Sequence, residues 1–374
     1  MPRREFYVDR LRSVMVALVI LHHTAITYGA IGGWFWREVE PSSSPSGVLL
    51  MLFCTTNQAY FMGLFFLLAG YFTPASLERK GFTRFIGDRF LRLGVPLLAF
   101  ILILGPLTAG IGNFAQADGF WPAIRWIWQH KEIINGPLWF AQALLIFSLG
   151  YCSWRAIFGS PLAERDRERT PVPASRWWLV SALGVGAAAL AIRQFVPVGV
   201  NVFGLQLGYF AGYAFLFAVG IVAWRHDWLA QLNWKQARPW IITLLVAWPS
   251  LPIAIAIARA LHRGGSSSAP SGLSWQALLY ALWEPLVAWG LIAAWLLIFR
   301  ERMNGPSAIW AWLNRRAYAV YIIHPPVLVS IALLLHGWAA PALVKFGVVG
   351  LLACALTWLI ADPLVRLPGV QSVV

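Results

Sequence analysis

Charge and cysteine are both scarce in this chain. Asp, Glu, Lys and Arg make up 12% of its 374 residues, about half of their share in soluble domains, and this excludes a large soluble domain. The three cysteines, Cys54, Cys152 and Cys354, lie within apolar stretches, with neither paired spacing nor neighbouring metal ligands. They are typical of small buried hydrophobic residues. We therefore expect no disulfide framework, no metal site and no resident cofactor.

Long apolar runs take the place of charge. Hydrophobic residues form 59% of the chain, and tryptophan alone contributes 22 residues. Ten stretches are long enough to cross about 30 Å of hydrocarbon. They predict an all-α, polytopic integral membrane helix bundle that forms a single transmembrane domain over residues 1–374. The ten predicted spans are 13–31, 48–73, 93–113, 136–155, 177–196, 203–224, 239–261, 275–299, 317–336 and 341–362.

The basic residues test this number of helices. With the amino terminus placed in the cytoplasm, 22 of the 29 Lys and Arg residues fall in cytoplasmic segments and 7 in exterior ones. A bias of this direction is typical of membrane proteins, so we expect both termini to be cytoplasmic. The same bias explains the net charge of +14. We therefore expect the chain to lie in a lipid bilayer and not to bind nucleic acid. The short loops favour a multi-pass protein of a bacterial inner membrane, and no feature defines an oligomeric state.

Two loops differ from the apolar background. Residues 159–175 are charged and contain proline, which predicts a cytoplasmic connector. Residues 262–274 are rich in glycine and serine, which predicts a flexible exterior loop. Neither segment indicates a second folded domain.

The first predicted helix carries a basic residue and a histidine on one face. Arg12 and His23 are eleven residues apart, which is about three turns and about 16 Å along the axis. Arg12 would lie at the membrane surface and His23 near the midplane, where ionisable residues are usually functional. A neutral imidazole can accept a proton from a hydroxyl. The alternative is a histidine that only bonds neighbouring helices, and it applies more strongly to His22, about 100° around the helix.

Four further polar positions stand out. Arg89 and Arg92 are one turn apart just inside the membrane, where a guanidinium pair suits a phosphate-rich ligand. Interfacial anchoring is the simpler alternative. Glu284 and His324 fall deep in predicted spans, at a depth similar to that of His23. An intramembrane carboxylate needs a partner, so we expect a His–Glu pair if these helices are neighbours. Structural hydrogen bonds between helices are the alternative.

Motifs along nearly the whole chain resemble those of a known family. In chain order, they are Asp9, Arg12 and His23; FFLLAGYF (65–72); Arg89 and Arg92 before Pro96; PLWF (137–140); and YAVYIIHPP (318–326). The ordered set is similar to that of the acyltransferase 3 family of membrane O-acyltransferases. Two positions depart from the family pattern. Ala69 stands where serine usually precedes the glycine, and Gln142 stands where some members carry an acidic residue.

The resemblance implies transfer of an acyl group, acetyl or succinyl, from cytoplasmic acyl-CoA to a hydroxyl of an envelope glycan or lipid-linked sugar. His23 would match the catalytic histidine, acting as general base, and Arg12, Arg89 and Arg92 would match positions that handle the acyl donor. From their depth in the bilayer, Glu284 and His324 are further catalytic candidates. The ending DPLVRLPGV (362–370) resembles the glucan-biosynthesis C-type branch, which succinylates periplasmic glucans.

Two other classes of membrane protein compete with this interpretation. A proton-coupled transporter, or a flippase for a glycan or lipid precursor, would also use ten helices with an intramembrane glutamate and histidine. The absence of a visible inverted repeat and the inner-face arginine pair favour the acyltransferase. A purely structural membrane protein would leave the deep polar residues unexplained.

Overall fold

A computed structural model describes most of the chain, namely residues 5–114, 119–159, 169–261 and 274–373. Within these ranges the regular structure is helical, as the apolar pattern predicts. Residues 160–168 and 262–273 of the two predicted loops, 159–175 and 262–274, lie outside the described residues, so the character of these loops stays a prediction.

The described residues form eleven helices of at least eleven residues each. They are α1 (Phe6–Thr27), α2 (Pro45–Lys80), α3 (Phe82–Gly112), α4 (Phe120–His130), α5 (Trp139–Phe158), α6 (Ser175–Phe195), α7 (Phe210–His226), α8 (Trp234–Leu261), α9 (Trp275–Arg302), α10 (Ala308–Leu334) and α11 (Ala342–Leu364). Two turns of α3 widen into π-helix, at Phe90–Gly94 and Phe100–Leu104. One-turn helices occur at Trp228–Gln231 and Val370–Val373.

Nine segments of the described residues are long and apolar enough to cross a membrane. They correspond to the second to tenth predicted spans. The first predicted span is α1, a helix of 22 residues whose opening turns contain Asp9, Arg10 and Arg12 and are therefore less apolar. Most residues of α1 are nevertheless buried within the protein. The chain is thus an all-α, multi-pass membrane bundle, as predicted.

A further helix, α4, lies between the third and fourth predicted spans, where the sequence pattern predicts no helix. It buries Ile124 and Ile127 and exposes Trp121, Trp126 and Trp128. A short helix with an apolar face and tryptophans outside it suits the membrane–water interface.

The described residues divide into two compact units. The first comprises Met1–Asn57, Ile86–Ile146 and Met303–Val374, and the second comprises Gln58–Phe85 and Phe147–Arg302.

In the first unit, α1 lies against α10 and α11. Leu11, Met15 and Val19 form its buried face, at the spacing expected for one side of a helix. Gly350 of α11 permits the close approach, because a Cβ atom there would lie 2.7 Å from Leu21 Cδ2. Helix α10 also packs against the last turns of α3. These contacts position the histidines of α1 and α10.

In the second unit, α9 packs against α6 and α8, and α6 packs against α7. The α2 segment of this unit crosses α7 with the two backbones in contact. A Cβ atom on Gly70 would overlap the carbonyl oxygen of Phe217, and one on Gly220 would overlap that of Leu67. Small residues are what such crossings require in a membrane. The FFLLAGYF motif therefore has a packing function at Gly70.

Candidate active site

Two of the predicted histidines meet in the first unit. Nδ1 of His23 on α1 lies 3.0 Å from Nε2 of His324 on α10. The ring centroids are 5.2 Å apart and the ring planes differ by 10°. His324 is fully buried, while His23 is half-buried. We call these two residues the dyad.

The sequence next to His324 fixes the orientation of its ring. Pro325 has no backbone N–H, so it cannot donate to the carbonyl of Tyr321 four residues earlier. Nδ1 of His324 lies 2.7 Å from that carbonyl oxygen and takes the place of the missing donor. Because a carbonyl oxygen only accepts, Nδ1 of His324 must carry the proton. The Tyr-x-x-His-Pro spacing therefore has a local physical explanation.

This bond determines where the protons lie in both rings of the dyad. In a neutral His324 with Nδ1 protonated, Nε2 is an acceptor. Nδ1 of His23 must then donate to it, which leaves Nε2 of neutral His23 with its lone pair. Among the described residues, Nε2 of His23 has no hydrogen-bond partner. His23 thus presents a proton acceptor on the side of the ring away from His324.

An aromatic loop after α1 covers the dyad. Trp34 stacks on His23, with ring centroids 4.0 Å apart and planes 8° apart. Gly112 of α3 lets this loop approach, because a Cβ atom there would lie 2.6 Å from the carbonyl oxygen of Phe35. Nε1 of Trp34 is buried and has no hydrogen-bond partner among the described residues. A buried donor without an acceptor is costly, so this N–H marks a place where a substrate carbonyl can bind.

The predicted donor-binding arginines all belong to the first unit. Arg12 is exposed and precedes His23 by about 16 Å along the continuous helix α1. Arg89 ends the regular part of α3, and Arg92 lies in the first π-helical segment. The backbone carbonyl of Arg92 accepts a hydrogen bond from the Tyr318 hydroxyl, at 2.5 Å. Tyr318 therefore joins the segment of Arg89 and Arg92 to the helix that carries His324.

Glu284 belongs to the second unit, and the predicted His–Glu pair is wrong. Its carboxylate is bound instead by Arg193 of α6, and the two residues are 9% and 7% exposed. Nε of Arg193 also donates to the carbonyl of Gly208, at 2.9 Å, and the guanidinium lies 5.0 Å from the centroid of the Tyr280 ring. The physical reason is charge: a guanidinium compensates a buried carboxylate, whereas a neutral imidazole does not.

A small cavity of about 30 Å³ adjoins this ion pair. Gln58 and Tyr213 contribute polar groups to its wall, and Gln58 Nε2 donates to the Tyr213 hydroxyl at 2.8 Å. Nη1 of Arg193 is buried without a partner among the described residues. The volume is enough for about one water molecule.

Sequence reasoning missed both Trp34 and Arg193. Trp34 lies in the cluster GGWFW directly after the first helix, and an aromatic cluster next to a deep histidine was a usable signal. Arg193 lies near the exterior end of the fifth predicted span, and Glu284 lies nine residues from the exterior end of the eighth. These depths differ by about 9 Å, so depth alone gives no signal for this pair.

Comparison with known proteins agrees with these observations. A family described as an acyltransferase domain matches residues 5–362. Proteins named glucans biosynthesis protein C from Salmonella paratyphi B, Salmonella agona and Salmonella dublin are each 26% identical to this chain over 204 residues, which cover 52% of this chain and 50% of each relative. The chain thus spans about half the length of these curated relatives. With nearly all of its residues matched, the chain belongs to the acyltransferase family that its ordered motifs predict.

Proposed function

We propose that this protein is a membrane O-acyltransferase that moves an acetyl or succinyl group from cytoplasmic acyl-CoA to a hydroxyl of an envelope glycan or lipid-linked sugar. The main observation is the oriented dyad, in which His324 leaves Nε2 of His23 as a proton acceptor. Membership of the acyltransferase family supports the reaction type. The relatives are named for glucan biosynthesis, which supports a glucan as acceptor. The apolar spanning helices of the described residues support a bacterial inner membrane as location, because proteins that span the outer membrane are β-barrels. Acyl-CoA is a substrate in this proposal, not a resident cofactor.

His23 acts as the general base. Its Nε2 takes the proton of the acceptor hydroxyl while the hydroxyl oxygen attacks the thioester carbonyl carbon. The new C–O bond forms, the C–S bond then breaks, and the proton held by His23 passes to the leaving sulfur. The products are the O-acylated glycan and free CoA, and His23 returns to its neutral form. No protein nucleophile is required.

Trp34 supports the charge that develops on the carbonyl oxygen. During the attack this oxygen becomes negative, and a preorganised N–H donor stabilises it more than it stabilises the starting thioester. The buried Nε1–H of Trp34 is such a donor, on a ring that stacks on His23. Base and donor are therefore adjacent, as acyl transfer requires.

The arginines of the first unit hold the phosphates of the donor. Arg12 is separated from His23 by about 16 Å along α1, and a pantetheine arm can extend between a phosphate site and a thioester at that separation. Arg89 and Arg92 are connected to α10 through Tyr318. Bound phosphates would place the acyl end of the donor toward the dyad.

The test is turnover of the thioester by purified protein in lipid nanodiscs. We expect the wild type to release CoA from acetyl-CoA or succinyl-CoA when a candidate glycan is present, with the acyl mass found on the glycan. His23→Ala should lower kcat by about 100- to 10,000-fold, the range for loss of a general base.

The exposed His130 of α4 provides a control. His130→Ala should keep turnover within about twofold of the wild type, as for most surface changes. A folded His23→Ala protein that turns over at the wild-type rate would refute the assignment. Analysis of envelope glycans from a deletion strain would identify both the acyl group and the acceptor.

A proton-coupled transporter or flippase is the second candidate, because the Arg193–Glu284 pair with its cavity is a buried ionisable network in the second unit. Such a protein would move a solute across liposome membranes without consuming an acyl donor. Solute movement with no release of CoA would replace the acyltransferase proposal.

A further inference from the structure

A second group of arginines lines a surface cavity of the first unit, where α10 begins and α11 ends. The cavity has a volume of about 520 Å³, within the range of small-molecule sites. Its wall consists of Trp312, Arg315, Arg316, Val365, Arg366 and Gln371. We call it the C-terminal cavity.

One carboxylate organises the C-terminal cavity. Asp362 accepts hydrogen bonds from Arg316 through Oδ1 and from Arg366 through Oδ2, the latter at 2.5 Å. Arg316 is only 5% exposed and its guanidinium lies 4.4 Å from the centroid of the Trp312 ring. Arg315 and Arg366 are exposed, so their remaining N–H groups can reach a ligand. An arginine that only anchors a helix at the membrane surface does not need this buried support.

The charge of the C-terminal cavity suits a phosphate monoester. Its described residues include three guanidinium groups, and the only carboxylate bound to them is that of Asp362. The formal excess is therefore two positive charges. A phosphate monoester carries about −1.5 to −2 at neutral pH, and arginine forks bind its oxygens in pairs.

The C-terminal cavity shares its supporting elements with the predicted donor site. The one-turn helix Val370–Val373, which carries Gln371, packs against Phe90–Gly94, the segment of Arg92. Tyr318, which binds the carbonyl of Arg92, is one turn beyond Arg315 on α10. From Arg315 to His324 the axis of α10 rises about 14 Å.

We propose that the C-terminal cavity binds the 3′-phosphate monoester on the ribose of the acyl-CoA donor. This inference rests on the proposed function and extends it, since it separates the monoester site from Arg89 and Arg92, which the proposed function assigns to the other phosphates of the donor. The same phosphate chemistry could come from the headgroup of an anionic lipid. The experiment below distinguishes the two sources.

The first measurement is binding, which does not depend on activity. Wild-type protein in zwitterionic nanodiscs should bind adenosine 3′,5′-bisphosphate about 10- to 100-fold more tightly than adenosine 5′-monophosphate. The double variant Arg315→Gln/Arg366→Gln should bind the two nucleotides within about twofold of each other. Arg238→Gln, which removes an exposed arginine of α8, is the matched control and should keep the wild-type preference. Equal binding of both nucleotides by the wild type, or no binding of either, overturns the inference.

The second measurement is turnover of acetyl-CoA and of 3′-dephospho-acetyl-CoA. The double variant should lose kcat/KM only for acetyl-CoA, and a matching loss for both donors overturns the inference. If the variants differ from wild type only in nanodiscs that contain phosphatidylglycerol, the ligand is a lipid headgroup and the inference is wrong. If no protein releases CoA but the preference for the bisphosphate is lost in the double variant, the proposed function fails while the phosphate site stands.

Discussion

Replacing Pro325 by alanine should slow the reaction without changing either ring of the dyad. Alanine restores the backbone N–H at position 325, which can donate to the Tyr321 carbonyl in the usual helical pattern. Nδ1 of His324 must then compete with this N–H for the Tyr321 carbonyl oxygen, which lies 2.7 Å from Nδ1 in the wild type. With this bond weakened, His324 can present a protonated Nε2 to His23. The proton of His23 then moves to its own Nε2, and the base is lost.

The strength of one hydrogen bond sets the expected magnitude. The net contribution of one hydrogen bond is about 0.5–1.5 kcal/mol. Each 1.36 kcal/mol of activation free energy changes a rate by about tenfold. Pro325→Ala should therefore lower kcat by about 2- to 12-fold. KM for acyl-CoA should change by less than about twofold, since the dyad acts on the reacting hydroxyl and not on the donor phosphates.

Pro326 provides the matched control. Pro326→Ala also removes a proline from inside α10, but the N–H that it restores points to the carbonyl of Ile322, which lies outside the dyad. The assay is steady-state release of CoA in nanodiscs, with thermal unfolding measured in parallel. In a His324→Ala background, Pro325→Ala should have no further effect, because the coupled bond is already absent. Equal losses from the two proline variants, or wild-type kcat for Pro325→Ala, would show that the proline does not orient His324.

Two other substitutions test the surroundings of the dyad and of the helix crossing. Trp34→Phe keeps a ring on His23 but removes Nε1–H, so we expect kcat to fall by about 10-fold or more at unchanged melting temperature; an unchanged kcat would exclude Trp34 as the carbonyl donor. Gly70→Ala forces a Cβ atom onto the Phe217 carbonyl and should destabilise the protein by about 1–3 kcal/mol, measured by thermal unfolding. At Gly150 no described atom lies within 4 Å of an added Cβ, so the control variant Gly150→Ala should keep the stability of the wild type. Equal shifts in melting temperature for the two variants would contradict the crossing of α2 and α7.

Most of the fold could be predicted because bilayer thickness translates directly into the length of an apolar run. The second to tenth predicted spans all match helices of the structure. Helix α4 was missed for a physical reason. An amphipathic helix of eleven residues and an irregular interfacial loop can have the same tryptophan-rich composition. Eleven residues are too few for the helical periodicity to distinguish the two.

The site was predictable only where one helix determines the geometry. The separation of Arg12 and His23 follows from the helical rise, and α1 runs without a break through both. The partner of His23 depends on the packing of α1 against α10, which the apolar pattern does not specify. Glu284 shows the same limit. Depth in the bilayer matched it to the two histidines, and the contact of α6 with α9, which the apolar pattern does not specify, brings it to Arg193 instead.

A neutral dyad suits this site because the charge is present only while the reaction needs it. When His23 takes the proton of the acceptor, its ring becomes a cation. The bond from its Nδ1–H to Nε2 of His324 is then charge-assisted, and such bonds are about twice as strong as neutral ones. The face of Trp34, 4.0 Å away, also attracts a cation more than a neutral ring. Both contacts therefore stabilise the transition state more than the resting site, which is the condition for a higher kcat. A permanent carboxylate beside His23 would instead require its own compensation in the apolar interior, as Glu284 does from Arg193.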